Sequence, residues 1–273
     1  EFAAIGVVPE RRLMLESVYG FLTLKNGVPI GYVLTSALYG SSEIAYNVFD
    51  TWRGGEAGHV YGHVLATARA VFGSTAFTIY PYQLGGDGNA EGIASGAWWF
   101  YQKLGFRPRE PAVIALMEAE LKRLRRQPSR RSTPATLRKL AAANMYWFVG
   151  KSRDDVMGLL PLERVGLAIT DYLAARFGAD RERGERVCAD EAARLLGATG
   201  WRRWPAAERL WWSRWSPLVL NLPGLERWTG DERAALVAVI RAKGGRRESD
   251  FVHRFDAHRK LRSALLKLGR SIP

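Results

Sequence analysis

The chain has 273 residues, 47% of them hydrophobic and 25% charged, with 40 Lys or Arg against 27 Asp or Glu; that is enough material for one or two cored domains and a strongly basic surface. Cys188 is the single cysteine, which excludes an internal disulfide and a thiolate metal cluster. No apolar run reaches the roughly 20 residues that span a bilayer and no secretory signal opens the sequence, so a cytoplasmic protein without a transmembrane segment is expected.

In chain order, Val18 to Leu24 alternates and is rich in branched and aromatic residues, Asn26-Gly27 is a two-residue hairpin signal, and Val28 to Leu38 is the return strand. Glu43 to Asp50 adds a third strand. Arg53-Gly54-Gly55-Glu56-Ala57-Gly58 then opens a segment with helical periodicity through Val60, Val64, Leu65 and Ala68, stopped by Gly73. Ala76 to Tyr80 is a short buried strand, and Tyr80 to Asn89 is an insertion before the next helix. That helix, Ala97 to Leu104, holds Trp98, Trp99, Phe100 and Tyr101; Gly105 can take the left-handed conformation that ends it, and Phe106 begins an extended element.

The closing run Ala97-Trp98-Trp99-Phe100-Tyr101-Gln102-Lys103-Leu104-Gly105-Phe106 resembles the last helix of GNAT-type (GCN5-related) N-acyltransferases. In that family Ala, two residues, Phe-Tyr, one residue, Lys, one residue and Gly-Phe form this punctuation. The order of three strands, glycine loop, helix, strand, helix and strand is similar to the family core from its second strand onward. The fold class this implies is α+β, a GNAT-like mixed sheet with helices over residues 1–110, followed by a mostly helical domain over 111–273. The resemblance covers roughly residues 17–110, so the family's first strand, its first two helices and a clear seventh strand are not expected. Beginning at Glu1 rather than Met, the chain reads as a fragment, a processed product or a cloned piece.

The resemblance further implies an acyl-CoA-dependent transfer of an acetyl or other acyl group to an amine, borne by a small molecule or a protein. Tyr101 would be the acid that protonates the departing thiolate of coenzyme A. Glu43 and Asp50 are the carboxylates of the fourth family strand available as a base. Acetyl-CoA or another acyl-CoA would lie where the strands near Asn47 to Phe49 and Ala76 to Tyr80 splay apart, against Val48 and Phe49. Arg53, Gly54, Gly55, Ala57 and Gly58 would cradle its pyrophosphate, since glycines let the backbone approach and helix-start amides favour anions. Two departures stand out: Glu56 occupies the place of the middle family glycine, and Ala94 the place of a cofactor-holding Asn, with Asn89 offering that amide earlier. A degenerate fold of this kind, kept as a binding or assembly module whose basic helical domain contacts nucleic acid or a protein, is the alternative.

Residues 1–109 hold 8 basic and 8 acidic side chains, whereas 110–273 hold 32 and 19, so the whole excess falls in the second part. Helices are expected over Val113 to Arg126, after a Thr133 cap with Pro134, from Ser152 with Asp155, over Pro161 to Phe177, over Arg181 to Leu196, after a Thr229–Glu232 capping box, and over Ser249 to Leu268. Lys122, Arg123, Arg125, Arg126, Arg130 and Arg131 could meet phosphates; solvated helix faces in an Arg-rich proteome are the preferred account, and nucleic acid is a secondary expectation. Trp201, Trp204, Trp211, Trp212, Trp215 and Trp228 are interleaved with arginines, for which core packing with Arg over Trp faces is preferred to base stacking. His59 and His63 have a spacing that can put two imidazoles on one metal, but no third ligand keeps company with them, and no metal site is expected.

Overall fold

The computed structural model describes residues 1–270. It holds a six-stranded mixed sheet with helices and, beyond it, a helical region, which is the expected α+β class. The chain divides into two compact units, the first made of residues 1–5 and 19–158, the second of 6–18 and 159–273.

In the first unit the sheet runs β1 (Phe2–Gly6), β2 (Ser17–Lys25), β3 (Val28–Leu38), β4 (Ser41–Val48), β5 (Ala76–Ile79) and β6 (Met145–Phe148), in that spatial order. Strand β2 buries Ser17, Tyr19, Phe21 and Thr23 and leaves their neighbours half-buried, the period of two that the sequence displays. Asn26 and Gly27, at φ 51° and 77°, make the β2–β3 turn; two successive positive φ angles are what a type I′ hairpin needs. Strand β1 is a correction to the expectation that no strand precedes residue 17. Glu1 and Leu24 exchange both backbone hydrogen bonds, at 2.8 and 2.9 Å, yet β1 is short and nearly all exposed, so it carries no alternation to read.

Helix α1 (Ala57–Phe72) buries Tyr61, Val64, Ala68 and Phe72, one stripe along its length. After β5 come the helical turn α2 (Pro81–Leu84), α3 (Ala90–Ser95) and α4 (Ala97–Lys103), then α5 (Pro111–Arg126) and α6 (Pro134–Leu140). Gly105 sits at φ +101° and stops α4 as expected; the extended element after it is a single bridge from Arg107 to Tyr146. Thr133 caps α6 by accepting from the Thr136 amide at 3.1 Å.

The charge step at residue 110 is not the boundary between the units. Helices α5 and α6 and strand β6 belong to the first unit, whose last residue is Gly158. The indole of Trp98 donates to the Leu140 carbonyl at 3.0 Å and that of Trp99 to Ser132 Oγ at 2.9 Å, tying α4 to residues beyond 130. Charge composition reports exposed helix faces, and says little about which apolar stripe shares which core. Strand β6, antiparallel to β5 from Ala76↔Phe148 to Ile79↔Met145, is the strand absent from the expected helical tail. Ser152 and Asp155 start no helix: Arg153 there donates to the carboxylate and the carbonyl of Asp155 and to the Tyr39 carbonyl, fixing an irregular loop.

The second unit contains α7 (Leu162–Phe177), α8 (Arg181–Leu196), α9 (Ala206–Asn221), α10 (Gly230–Lys243), α11 (Glu248–Ala257) and α12 (Arg259–Arg270). The expected helix over 249–268 is broken at His258, whose Nδ1 accepts from the Leu261 amide at 3.1 Å while Nε2 meets the Glu232 carbonyl at 2.9 Å. A side chain that captures a helix-start amide competes with the helical ladder, so one amphipathic run becomes two helices. The Thr229–Glu232 capping box is present in full. Trp211, Trp212, Trp215 and Trp228 are buried in the core and Trp201 and Trp204 half-buried at its edge, and Arg202, Arg214 and Arg241 lie 5.0, 5.1 and 4.7 Å from the ring centres of Trp201, Trp211 and Trp204. Cys188 is likewise buried. The segment 6–18 joins this unit through the indoles of Trp211 and Trp215, which donate to the carbonyls of Pro9 and Met14 at 2.8 and 3.0 Å. Among the described residues no helix is long and apolar enough to cross a membrane.

Candidate functional site

Strand β4 is parallel to β5 only from Ser41↔Ala76 to Glu43↔Thr78, although it stays paired with β3 as far as Gly31↔Val48. Past Glu43 the edge of β4 that faces β5 leaves the ladder, and a cleft of about 590 Å³ opens there. Its walls are Ala45, Tyr46, Asn47 and Val48 from β4, Arg53, Gly54 and Ala57 from the glycine loop and α1, and Phe100 and Tyr101 from α4; Tyr82, Asn89 and Glu91 stand at the α2–α3 side.

A second cleft, of about 920 Å³, shares Gly54 and Ala57 with the first and continues past Gly55 and Gly58 to Lys103, Arg130 and Arg131 over a floor of Leu104, Leu121, Leu124 and Leu137. The two therefore meet at the start of α1, where first-turn amides have no helical carbonyl to bond. Pairing of the aromatic residues fixes the inner wall: Tyr61 packs edge-on against Tyr46, Tyr101 and Phe106 at 5.3, 5.5 and 6.0 Å between ring centres. Burial and the nearby Tyr46 hydroxyl hold the Tyr101 phenol well above the ordinary range, and burial pushes Tyr46 up to about 12. Both are neutral hydrogen-bond donors at any physiological pH. Behind them the buried Tyr61 hydroxyl has no hydrogen-bond partner among the described residues.

The chain matches no protein-family model, no curated protein and no solved structure.

The residues expected at a site divide into two groups. Tyr101, Val48, Arg53, Gly54, Ala57 and Asn89 line the first cleft, and Gly55 and Gly58 the second. Phe49 instead packs its exposed ring toward Tyr32 at 6.4 Å between centres. Glu43 and Asp50, the two expected bases, do not line either cleft. Ser36 Oγ donates to Glu43 Oε2 at 3.0 Å, which holds that carboxylate against β3. Asp50 lies in a 3-10 turn after β4, exposed and paired with Arg53 at 3.0 Å. A carboxylate on a strand reaches whichever face the register gives it, and the register was not legible from an irregular alternation over 43–50.

Arg53 donates from Nε to the Val48 carbonyl at 3.0 Å and pairs with Glu91 at 2.5 Å. Asn89 is occupied as the α3 cap: its Oδ1 accepts from the Gly92 amide at 3.0 Å and its Nδ2 donates to the Tyr82 carbonyl at 2.8 Å. Glu91 and Tyr46 are cleft residues that sequence reasoning missed. Tyr46 lay inside a recognised strand and Glu91 two residues after Asn89, and nothing in their spacing marks them out. Glu56 turns to Lys25, Oε2 to Nζ 2.5 Å, which holds its carboxyl below the usual range. Because both partners are exposed, the pair is screened and weak. Glu56→Gln is accordingly expected to leave the midpoint of chemical denaturation nearly unchanged; denaturation of the variant beside the unsubstituted chain checks this.

Proposed function

We propose that the chain is an acyl-CoA-dependent N-acyltransferase of the GNAT type, acting on an amine. The observation that carries the reading is the opening of β4 from β5 directly beside the glycine loop, with Tyr101 on its wall. An extended pantetheine arm would bond the free edge of β4, its pyrophosphate would lie on the glycine loop and the α1 amides, and the nucleotide end would run toward Arg130, Arg131 and Lys103. The acyl carbonyl then faces Tyr46 and Tyr101. Attack by the amine expels the thiolate, and Tyr101 donates a hydrogen bond to the sulfur as charge develops there. Since a thiol ordinarily titrates near 8.5 and burial raises the phenol, Tyr101 stabilises the thiolate rather than surrendering its proton for good. Among the described residues Glu91 is the carboxylate lining the cleft; released from Arg53 by the phosphates of the ligand, it would take the proton of the amine directly or through a water. A cytoplasmic location belongs to the same reading.

The test is incubation of the full chain with acetyl-CoA and a panel of small amines and amine-bearing peptides, following the release of free coenzyme A thiol. Amine-dependent release supports the transferase. A specific observation favours the second reading, a noncatalytic module of the same fold: Arg53 is already paired with Asp50 and Glu91, so an anionic ligand must displace one of them. Binding of coenzyme A with no release across the panel would favour that module.

A further inference from the structure

His59 and His63 face one another on the exposed side of α1, with Nε2 to Nε2 3.1 Å and the rings edge-on at 88°. One turn of helix separates them, so the backbone holds both side chains on one stripe without any further element. Two nitrogens bound to one Zn²⁺ at the usual 2.0–2.1 Å stand about 3.3–3.4 Å apart at a tetrahedral angle and about 2.8–3.0 Å apart at a right angle. The observed separation falls between these values. We propose that His59 and His63 form an exchangeable two-histidine site for a divalent transition metal such as Zn²⁺, Ni²⁺ or Cu²⁺.

Imidazole nitrogen selects these borderline cations over Mg²⁺ and Ca²⁺, which prefer oxygen. The metal takes the place of the hydrogen bond between the two rings, which turn so that both lone pairs meet it; being exposed, neither ring has to break a core contact. Glu56, one turn earlier, is engaged by Lys25, and among the described residues no group of three or more His, Cys, Asp or Glu could hold a metal ion. Water therefore completes the shell, and the site is open and labile rather than structural. The proposal is independent of the acyltransferase reading, because neither histidine lines either cleft. The other histidines do not compete: His258 spends both ring nitrogens inside the second unit, and His253 stands on a different helix.

The experiment is calorimetric titration of the untagged, metal-free full chain with zinc chloride, and with magnesium chloride as control. One Zn²⁺ per chain is expected, with no heat from Mg²⁺. His59→Gln and His63→Gln should each weaken Zn²⁺ binding by more than about tenfold, a loss seen even on removing outer-shell partners, whereas His253→Gln should leave it unchanged. Equal Zn²⁺ affinity in the unsubstituted chain and in both single variants, or no Zn²⁺ binding at all, would overturn the proposal.

Discussion

Tyr101→Phe is expected to lower turnover by about 10²-fold or more while the affinity for acetyl-CoA stays within about twofold. The substitution removes one oxygen from the cleft wall and leaves the ring packed against Tyr61 and Phe106. In the proposed acyltransferase only the donor to the developing thiolate is lost, so the effect falls on the transition state and spares ground-state binding. Tyr46→Phe supplies the comparison, because it deletes a hydroxyl from the same wall without removing the thiolate donor, and its turnover should fall less than about tenfold. Steady-state rates and calorimetry on the two variants separate these effects. Unchanged turnover in Tyr101→Phe would remove that residue from the mechanism.

The second large effect concerns stability and lies in the second unit. Lys243 is fully buried, donates to Glu248 Oε1 at 2.5 Å and to the Glu16 carbonyl at 2.8 Å, and lies 4.1 Å from the ring centre of Phe251. Arg12 completes the cluster: it donates to the carbonyls of Lys243 and Gly245 at 2.5 and 2.8 Å, and its Nε stands 3.6 Å from Glu248 Oε2. Glu248 thus faces two buried cations, and Glu16 adds its own pull on Lys243. Glu248→Gln is expected to cost about 3–5 kcal/mol in chemical denaturation, the usual loss when one partner of a buried ion pair is removed. The double substitution Lys243→Met with Glu248→Leu should cost less than Glu248→Gln alone, since it removes the Lys243–Glu248 pair together and leaves only Arg12, which still donates to the carbonyls of Val7, Lys243, Gly245 and Arg246.

The same cluster sets a pH dependence. Burial lowers the Lys243 pKa from 10.5 to about 8, against the opposing pull of Glu248. Between those values the unfolded chain binds a proton that the folded chain does not, so the contribution of this group to stability rises with pH from about 8 to 10.5. Below pH 8 the lysine is charged in both states and its contribution is flat. Denaturation midpoints of the unsubstituted chain and of Lys243→Met, measured across this window, should differ in slope, with the rise lost in the variant.

The hairpin at Asn26-Gly27, the stop at Gly105 and the helix after the glycine loop were legible because each depends on a few adjacent residues with one conformational solution. Thr229 with Glu232 was legible for the same reason. What escaped depends on contacts distant in sequence. Strand β6 has four residues, and its identity comes from pairing with β5, nearly 70 positions earlier. The break at His258 follows from a ring that captures the Leu261 amide while meeting the Glu232 carbonyl on another helix. At the site, the motif residues Arg53, Gly54 and Tyr101 were found by pattern and line the first cleft. The proposed bases were not brought there, because choosing Glu43 or Asp50 required knowing where β4 leaves β5 and which way its side chains then face.

The most direct test of the proposed acyl-CoA site is calorimetric titration of the full chain with acetyl-CoA at modest salt, beside desulfo-CoA and an unrelated polyanion. The cleft beside β4 predicts saturable one-to-one binding of both coenzyme A species in the micromolar range, strongly weakened by Arg53→Ala and falling less steeply with added salt than binding of the polyanion does. Equal binding of the polyanion, or no binding of acetyl-CoA, would contradict it.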